Sequence, residues 1–147
     1  MRYLFILIFG LFTLNSHSQT NITKKVKMDA KQRIEKFKHE PKFEVENSGE
    51  YYQGLSVPNL KSHFTELLNK SADEFIQVSQ NHPTDLKYQE KIKIGLERFN
   101  PNYSELDTED REKICGYFAE LMNCVGLKSS DGIINKWLYG FDFSKKH

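Results

Sequence analysis

The sequence predicts an all-α fold, a single compact irregular bundle of five or six helices, on three observations. Apolar residues recur at helical spacing in several windows, as at Leu60, Phe64, Leu67 and Leu68. Capping signals stand ahead of these windows, and Gly or Pro closes them. One stretch after the first helix, residues 41–57 (PKFEVENSGEYYQGLSV), lacks the periodicity and reads as a long irregular connection.

The chain opens with a different signal. Arg2 precedes an apolar run from Leu4 to Leu14, and polar Asn15-Ser16-His17-Ser18-Gln19 follows. Small residues at 16 and 18 suit cleavage before Gln19, the layout of a secretory signal peptide over residues 1–18. A membrane span needs about 20 apolar residues, so the run is too short to stay as one. An uncleaved short anchor is the alternative. The expected location is periplasmic or extracellular. Cleavage removes one cation and no carboxylate from 21 Lys+Arg and 20 Asp+Glu, which leaves a neutral chain. A nucleic-acid binder would carry a basic surplus, so that class is set aside.

Residues 19–28 (QTNITKKVKM) are polar and basic, a lead-in to a domain expected over 29–143. Asp29 and Gln32 have capping-box spacing. Ile34 and Phe37 give the first helix an apolar face, and Pro41 ends it. In the connection, Phe43 and Val45 alternate with charges as in a short strand, while Asn47-Ser48-Gly49 marks a turn. Residues 58–81 are two helices jointed near Asn69-Lys70 or one bent helix, because Ser71 to Glu74 forms a second capping box. Thr84 caps the next helix, with Tyr88, Ile92, Gly95, Leu96 and Phe99 along its stripe. Asp107 or Thr108 caps the helix that follows, and Gly126 ends it. Ser129-Ser130-Asp131 starts a short final helix with Ile133, Ile134, Trp137 and Leu138 on its apolar side. Gly140 closes that helix, Phe141 and Phe143 fold back, and 144–147 are a polar tail.

Both cysteines fall in "ICGYFAELMNC", residues 114–124. Nine residues of helix rise about 13.5 Å and turn half a revolution. A disulfide needs Cα atoms within about 7 Å, so an intact helix forbids the Cys115–Cys124 bond and joint ligation of one metal. Two quiet thiols flanking the apolar face are the expected state. A helix distorted at Gly116, an intermolecular bond or a reactive thiol are the alternatives.

No cofactor or metal is expected. His63 and Glu66 share a helical face, but a di-metal bundle uses Glu-x-x-His and several further carboxylates. Zinc spacings, a nucleophile elbow and a Gly-rich phosphate loop are absent from the sequence. Asp107, Glu109 and Asp110 read as helix-start acids; a catalytic pair would need one of them buried. The Lys-rich stretch 24–38 reads as a solvated face, since Asp29 and Glu35 interrupt it. The aromatic residues Tyr51, Tyr52, Trp137, Tyr139 and Phe141 form a candidate partner-binding set, with a terminal helix packed on the bundle as the plain alternative.

The stretch "DTEDREKICGYFAELMNCVGLKSSDGIINKWLYGFD", residues 107–142, resembles domain of unknown function 4844, a family of small bacterial proteins. The likeness is carried by Asp107-Thr108-Glu109-Asp110, Tyr117-Phe118, Val125-Gly126-Leu127 and Trp137 through Asp142, and extends back to "YYQGLSVP". It implies a recurrent small domain, sometimes exported, and transfers no catalytic residue. The functional expectation is a non-enzymatic protein-binding module, inhibitor or immunity-like. The alternatives are a small exported enzyme built on the helix-start acids or the 41–57 connection, and an envelope protein that self-associates through 137–143.

Overall fold

The computed structural model describes residues 28–46 and 52–140. Five α-helices make up the bundle: α1 Ala30–His39, α2 Lys61–Gln80, α3 Asp85–Glu97, α4 Thr108–Val125 and α5 Ile133–Tyr139. Two 3-10 segments, Pro58–Leu60 and Asn100–Glu105, lead into α2 and join α3 to α4. No strand occurs among the described residues.

The local signals explain most boundaries. At α1 both halves of the capping box form: the Gln32 amide donates to Asp29 Oδ1 at 2.8 Å and the Asp29 amide to Gln32 Oε1 at 3.0 Å. Thr84 accepts from the Lys87 amide at α3, and Asp107 from the Asp110 amide at α4, which satisfies donors that have no partner inside the helix. Gly126 ends α4 at φ 76, a left-handed angle that a Cβ disfavours.

Of the two readings of residues 58–81, one continuous 20-residue helix stands. The Ser71–Glu74 box does not break it. Ser71 lies buried in mid-helix and its hydroxyl donates back to the Leu67 carbonyl at 3.0 Å. Glu74 turns to Arg98 at the C-terminal cap of α3 instead, an ion pair of 2.5 Å supported by Arg98 Nη1 donating to Ser71 Oγ at 3.0 Å. Tertiary pairing has overridden a local capping preference.

α2 lies against α1, α3 and α4, and α5 closes the far side on α3 and α4. The core runs from Ile34 and Phe37 through Phe64, Leu68 and Phe75 to Ile92, Phe99, Ile114 and Phe118. Three helices meet at Gly95. A Cβ built there would stand 2.6 Å from the Phe118 ring and 2.8 Å from Ser71 Oγ, so the missing side chain sets the approach of α3 to α2 and α4.

The connection departs from the strand-like reading. Phe43 is buried while Val45 is 53% exposed, and Phe43 takes φ 56, costly for a bulky residue. Its amide donates to the Tyr117 hydroxyl at 2.6 Å, and its ring meets Tyr117 edge-on at 5.2 Å. Packing and a buried hydrogen bond hold the strained backbone. Lys42 beside it is buried, with its ammonium on the Glu40 carbonyl at 2.7 Å, on the Phe37 carbonyl, and 4.1 Å from the Phe37 ring centroid. Burial lowers its pKa, with Glu120 and Glu40 opposing.

Candidate functional site

The short α5 makes the site. It begins at Ile133, after Gly132 in a left-handed conformation, and not at the Ser129-Ser130-Asp131 signal; Ser129 Oγ accepts from the Asp131 amide. Packed across α3 and the second 3-10 segment, α5 leaves an open cleft of about 610 Å³. Leu96, Ile133 and Trp137 supply apolar surface, and Tyr103 adds an aromatic wall. Lys93 and Glu97 from α3, Asn100, and Lys136 from α5 place polar groups around it.

The aromatic wall is fixed from behind. Trp137 Nε1 donates to Asn100 Oδ1 at 2.8 Å. The Tyr103 hydroxyl donates to the Trp137 and Leu138 carbonyls at 3.1 and 2.9 Å, satisfying the exposed end of α5. The Tyr103 and Trp137 rings meet edge to face at 5.2 Å and 88°. Phe99 lies under Trp137 at 6.3 Å, and the Arg111 guanidinium lies 4.8 Å from the Tyr103 centroid. With their polar tips occupied, both rings turn apolar surface to the cleft.

A second feature, on α4, corrects the reading of the acids. Asp107 and Glu109 are exposed, but Asp110 has 0% exposure. Its carboxylate accepts from the Tyr52 hydroxyl at 2.8 Å, from the Ser56 amide at 3.1 Å and from the Ser56 hydroxyl. Three donors from the connection thus converge on one buried charge at the positive end of α4, a setting that stabilises a carboxylate. Tyr52, expected among the partner-binding aromatics, is a core residue for the same reason: it is 6% exposed with its hydroxyl turned inward. Burial, then the Asp110 hydrogen bond, raises its pKa. The oxygens of Asp110 are engaged within the chain, so the arrangement fastens the connection to α4 and offers no free base.

A family model described as Domain of unknown function (DUF4844) matches residues 25–142, more than half of the chain. The chain belongs to that family. A crystal structure of a DUF3571 family protein from Acinetobacter baumannii AYE is similar to this DUF4844 domain, with a TM-score of 0.67 and 34% identity over 76% of this chain and 89% of that one. No curated protein matches it.

The remaining predicted residues of the DUF4844 domain fall as follows. Trp137 is half-buried in the cleft, and Tyr139 at the end of α5 is 51% exposed. Tyr51 and Phe141, with the Phe143 expected to fold back, lie outside the described residues. His63 and Glu66 are both exposed, and among the described residues no group of three His, Cys, Asp or Glu side chains is placed to hold a metal. No described helix is long and apolar enough to cross a membrane. The cleft was the element that sequence reasoning missed. No local pattern signals it, because Tyr103 and Asn100 pair with Trp137 across more than thirty positions.

Both cysteines are free; Cys115 is buried and Cys124 half-buried. Burial pushes the Cys115 thiol up to about 12, with Glu112 adding to it, and also raises Cys124, where the Arg33 guanidinium opposes. The ordinary value for Cys115 is 9.0, so between pH 9 and 12 the folded thiol keeps a proton that the unfolded one loses. Folding then binds protons, and stability falls as pH rises through that window. Tyr117, lifted by burial from 10.0 to about 12 against the Phe43 amide, acts in the same direction. Urea midpoints should therefore drop above pH 9, and the drop should be shallower in Cys115→Ala. A thiol reagent at pH 8 should modify native Cys124 before Cys115, and both at once in urea.

Proposed function

We propose that this protein is an exported, non-enzymatic protein-binding module of the bacterial envelope, of inhibitor or immunity type, and that the α3–α5 cleft is its docking site. The observation that carries the reading is the fixed aromatic wall. Trp137 and Tyr103 have their hydrogen-bonding tips satisfied within the chain and their faces on an open cleft. A wall ordered before binding loses little side-chain entropy when a partner arrives, and Trp and Tyr are enriched among residues that dominate docking energy. Asp110 supports the non-enzymatic part, because its carboxylate is spent on Tyr52 and Ser56. The layout of residues 1–18 supports export.

The test uses the full-length chain in the bacterium that encodes it, with a photo-crosslinking residue replacing the exposed Tyr139. One defined envelope protein should be captured, and Trp137→Ala in the same chain should abolish the adduct, since truncating such an anchor costs about 2 kcal/mol or more of binding. Mass spectrometry of the protein from the same cells should show a mature chain beginning at Gln19. Capture only of a second copy of this chain, or an intact N-terminus in the cytoplasm, would sink the reading.

A further inference from the structure

We propose that the α3–α5 cleft is filled, until a partner arrives, by the chain's own C-terminal segment, with Phe141 and Phe143 set against Trp137 and Leu96. The inference rests on the binding-module reading and adds a regulator to its site.

The cleft asks for apolar groups. Leu96 is 1% exposed within it, and the Trp137 and Tyr103 rings have their polar tips satisfied inside the chain. Lys93 and Glu97 offset each other on the α3 side, so apolar fit and not charge selects the occupant. Three observations name it. Gly140 both ends α5 and lines the cleft, so Phe141 is attached at the cleft's edge. Gly140 also takes φ 63, and a left-handed glycine past a helix is frequently followed by an apolar residue packed back on the helix's last turns. In α5 those turns carry Lys136 and Trp137, which line the cleft. The DUF4844 model runs through Asp142, so the family domain includes Phe141 and does not stop at α5. The composition of the segment fits as well. Phe141 and Phe143 are two positions apart, a spacing that puts both side chains on one face of an extended segment and Asp142 on the other. Ser144 to His147 are polar and ask for no burial. Three extended residues span about 10 Å, enough to lay both rings along a cleft whose floor starts one residue away.

Trp137 makes the test direct, because it is the single tryptophan of the chain and its emission reports on the cleft. The full chain should emit at short wavelength and resist quenching by acrylamide. Phe141→Ala with Phe143→Ala should shift the emission to longer wavelength and make it quenchable, with circular dichroism unchanged. Phe141→Leu with Phe143→Leu, which keeps apolar side chains, should stay near the parent. Nuclear Overhauser contacts from the Trp137 indole to the Phe141 ring read the same docking in the unaltered chain. A short tether supplies an effective concentration of order millimolar, so an affinity of about 0.1 mM keeps the tethered site about nine-tenths filled. The free peptide acetyl-Phe-Asp-Phe-Ser-Lys-Lys-His should therefore restore the emission of the Ala pair with a midpoint of about 0.1 mM and leave the parent unmoved. A partner that meets a site one-tenth free binds about tenfold more weakly, so the Tyr139 adduct should rise about tenfold in the Ala pair at limiting partner. Parent-like emission of the Ala pair, no Trp137–Phe141 contact, or a cleft signal that varies with protein concentration and so belongs to a second copy's segment would each overturn the inference. Any of these with a Tyr139 adduct still dependent on Trp137 would reject only the resident segment. A filled cleft in a chain that gives no adduct, with or without the Ala pair, would keep the segment and reject the binding-module reading.

Discussion

Replacing Asp110 with Ala should destabilise the protein by about 2–3 kcal/mol. The carboxylate is buried and is the acceptor for the Tyr52 hydroxyl and for both the amide and the hydroxyl of Ser56. Removing it strands the buried Tyr52 hydroxyl, and leaving a buried polar group unpaired costs more than the net worth of its bond, while the exposed Ser56 loses both its bonds to α4. Tyr52→Phe, which removes one donor and keeps the ring, should cost only about 1 kcal/mol. Urea unfolding followed by circular dichroism reads both variants. A loss for Asp110→Ala no larger than that for Tyr52→Phe would mean that Asp110 is not the anchor of the connection. Hydrogen exchange should add that the Ser56 amide loses protection first.

The second large effect pairs two glycines that the same substitution should drive in opposite directions. Gly95→Ala places a methyl 2.6 Å from the Phe118 ring and 2.8 Å from Ser71 Oγ. Alanine gains about 1 kcal/mol over glycine in helix propensity, but overpacking a tight core costs about 1–3 kcal/mol. The overlap wins because Phe118 is fully buried and has no open side to move into. Gly95→Val, with two more methyls and a stiff χ1, should cost more still. At Gly116, in the middle of α4, an added Cβ meets nothing within 4 Å, so Gly116→Ala should stabilise by about 0.5–1 kcal/mol. Thermal midpoints moving down for the first and up for the second would confirm where the three helices are closest. A stabilised Gly95→Ala would show that α3 can move away from α2 and α4.

The helices were legible because their signals are local. Asp29 with Gln32, and Thr84 with the Lys87 amide, act within one turn, and the sequence displays both members. The misreadings share the opposite property. Asp110 looks like one more helix-start acid until the chain brings Tyr52 and Ser56, 58 and 54 positions away, onto its oxygens. Tyr52 reads as a surface aromatic until the same separation is closed. Ser71 and Glu74 spell a helix start, but Arg98, capping the end of α3, claims them for packing. The cleft depends on α5 lying on α3, and the bonds that place it join residues 34 to 37 positions apart. Resemblance of the chain to its family, carried by short motifs within 107–142, did match the family model found over 25–142.

The fastening of the connection has a kinetic corollary. Its bonds to α4 close loops of 54 to 74 residues, whereas α2 and α3 pair across a short turn at Asn81–Thr84. Loop-closure entropy disfavours distant bonds early, so the helical hairpin should form ahead of them and the Asp110 and Tyr117 contacts should be late arrivals on the folding path. Substitutions there should act on the unfolding limb of a chevron plot and leave the folding limb almost unmoved. The residues that hold this connection would then set how long each folded molecule persists, more than how quickly it is made.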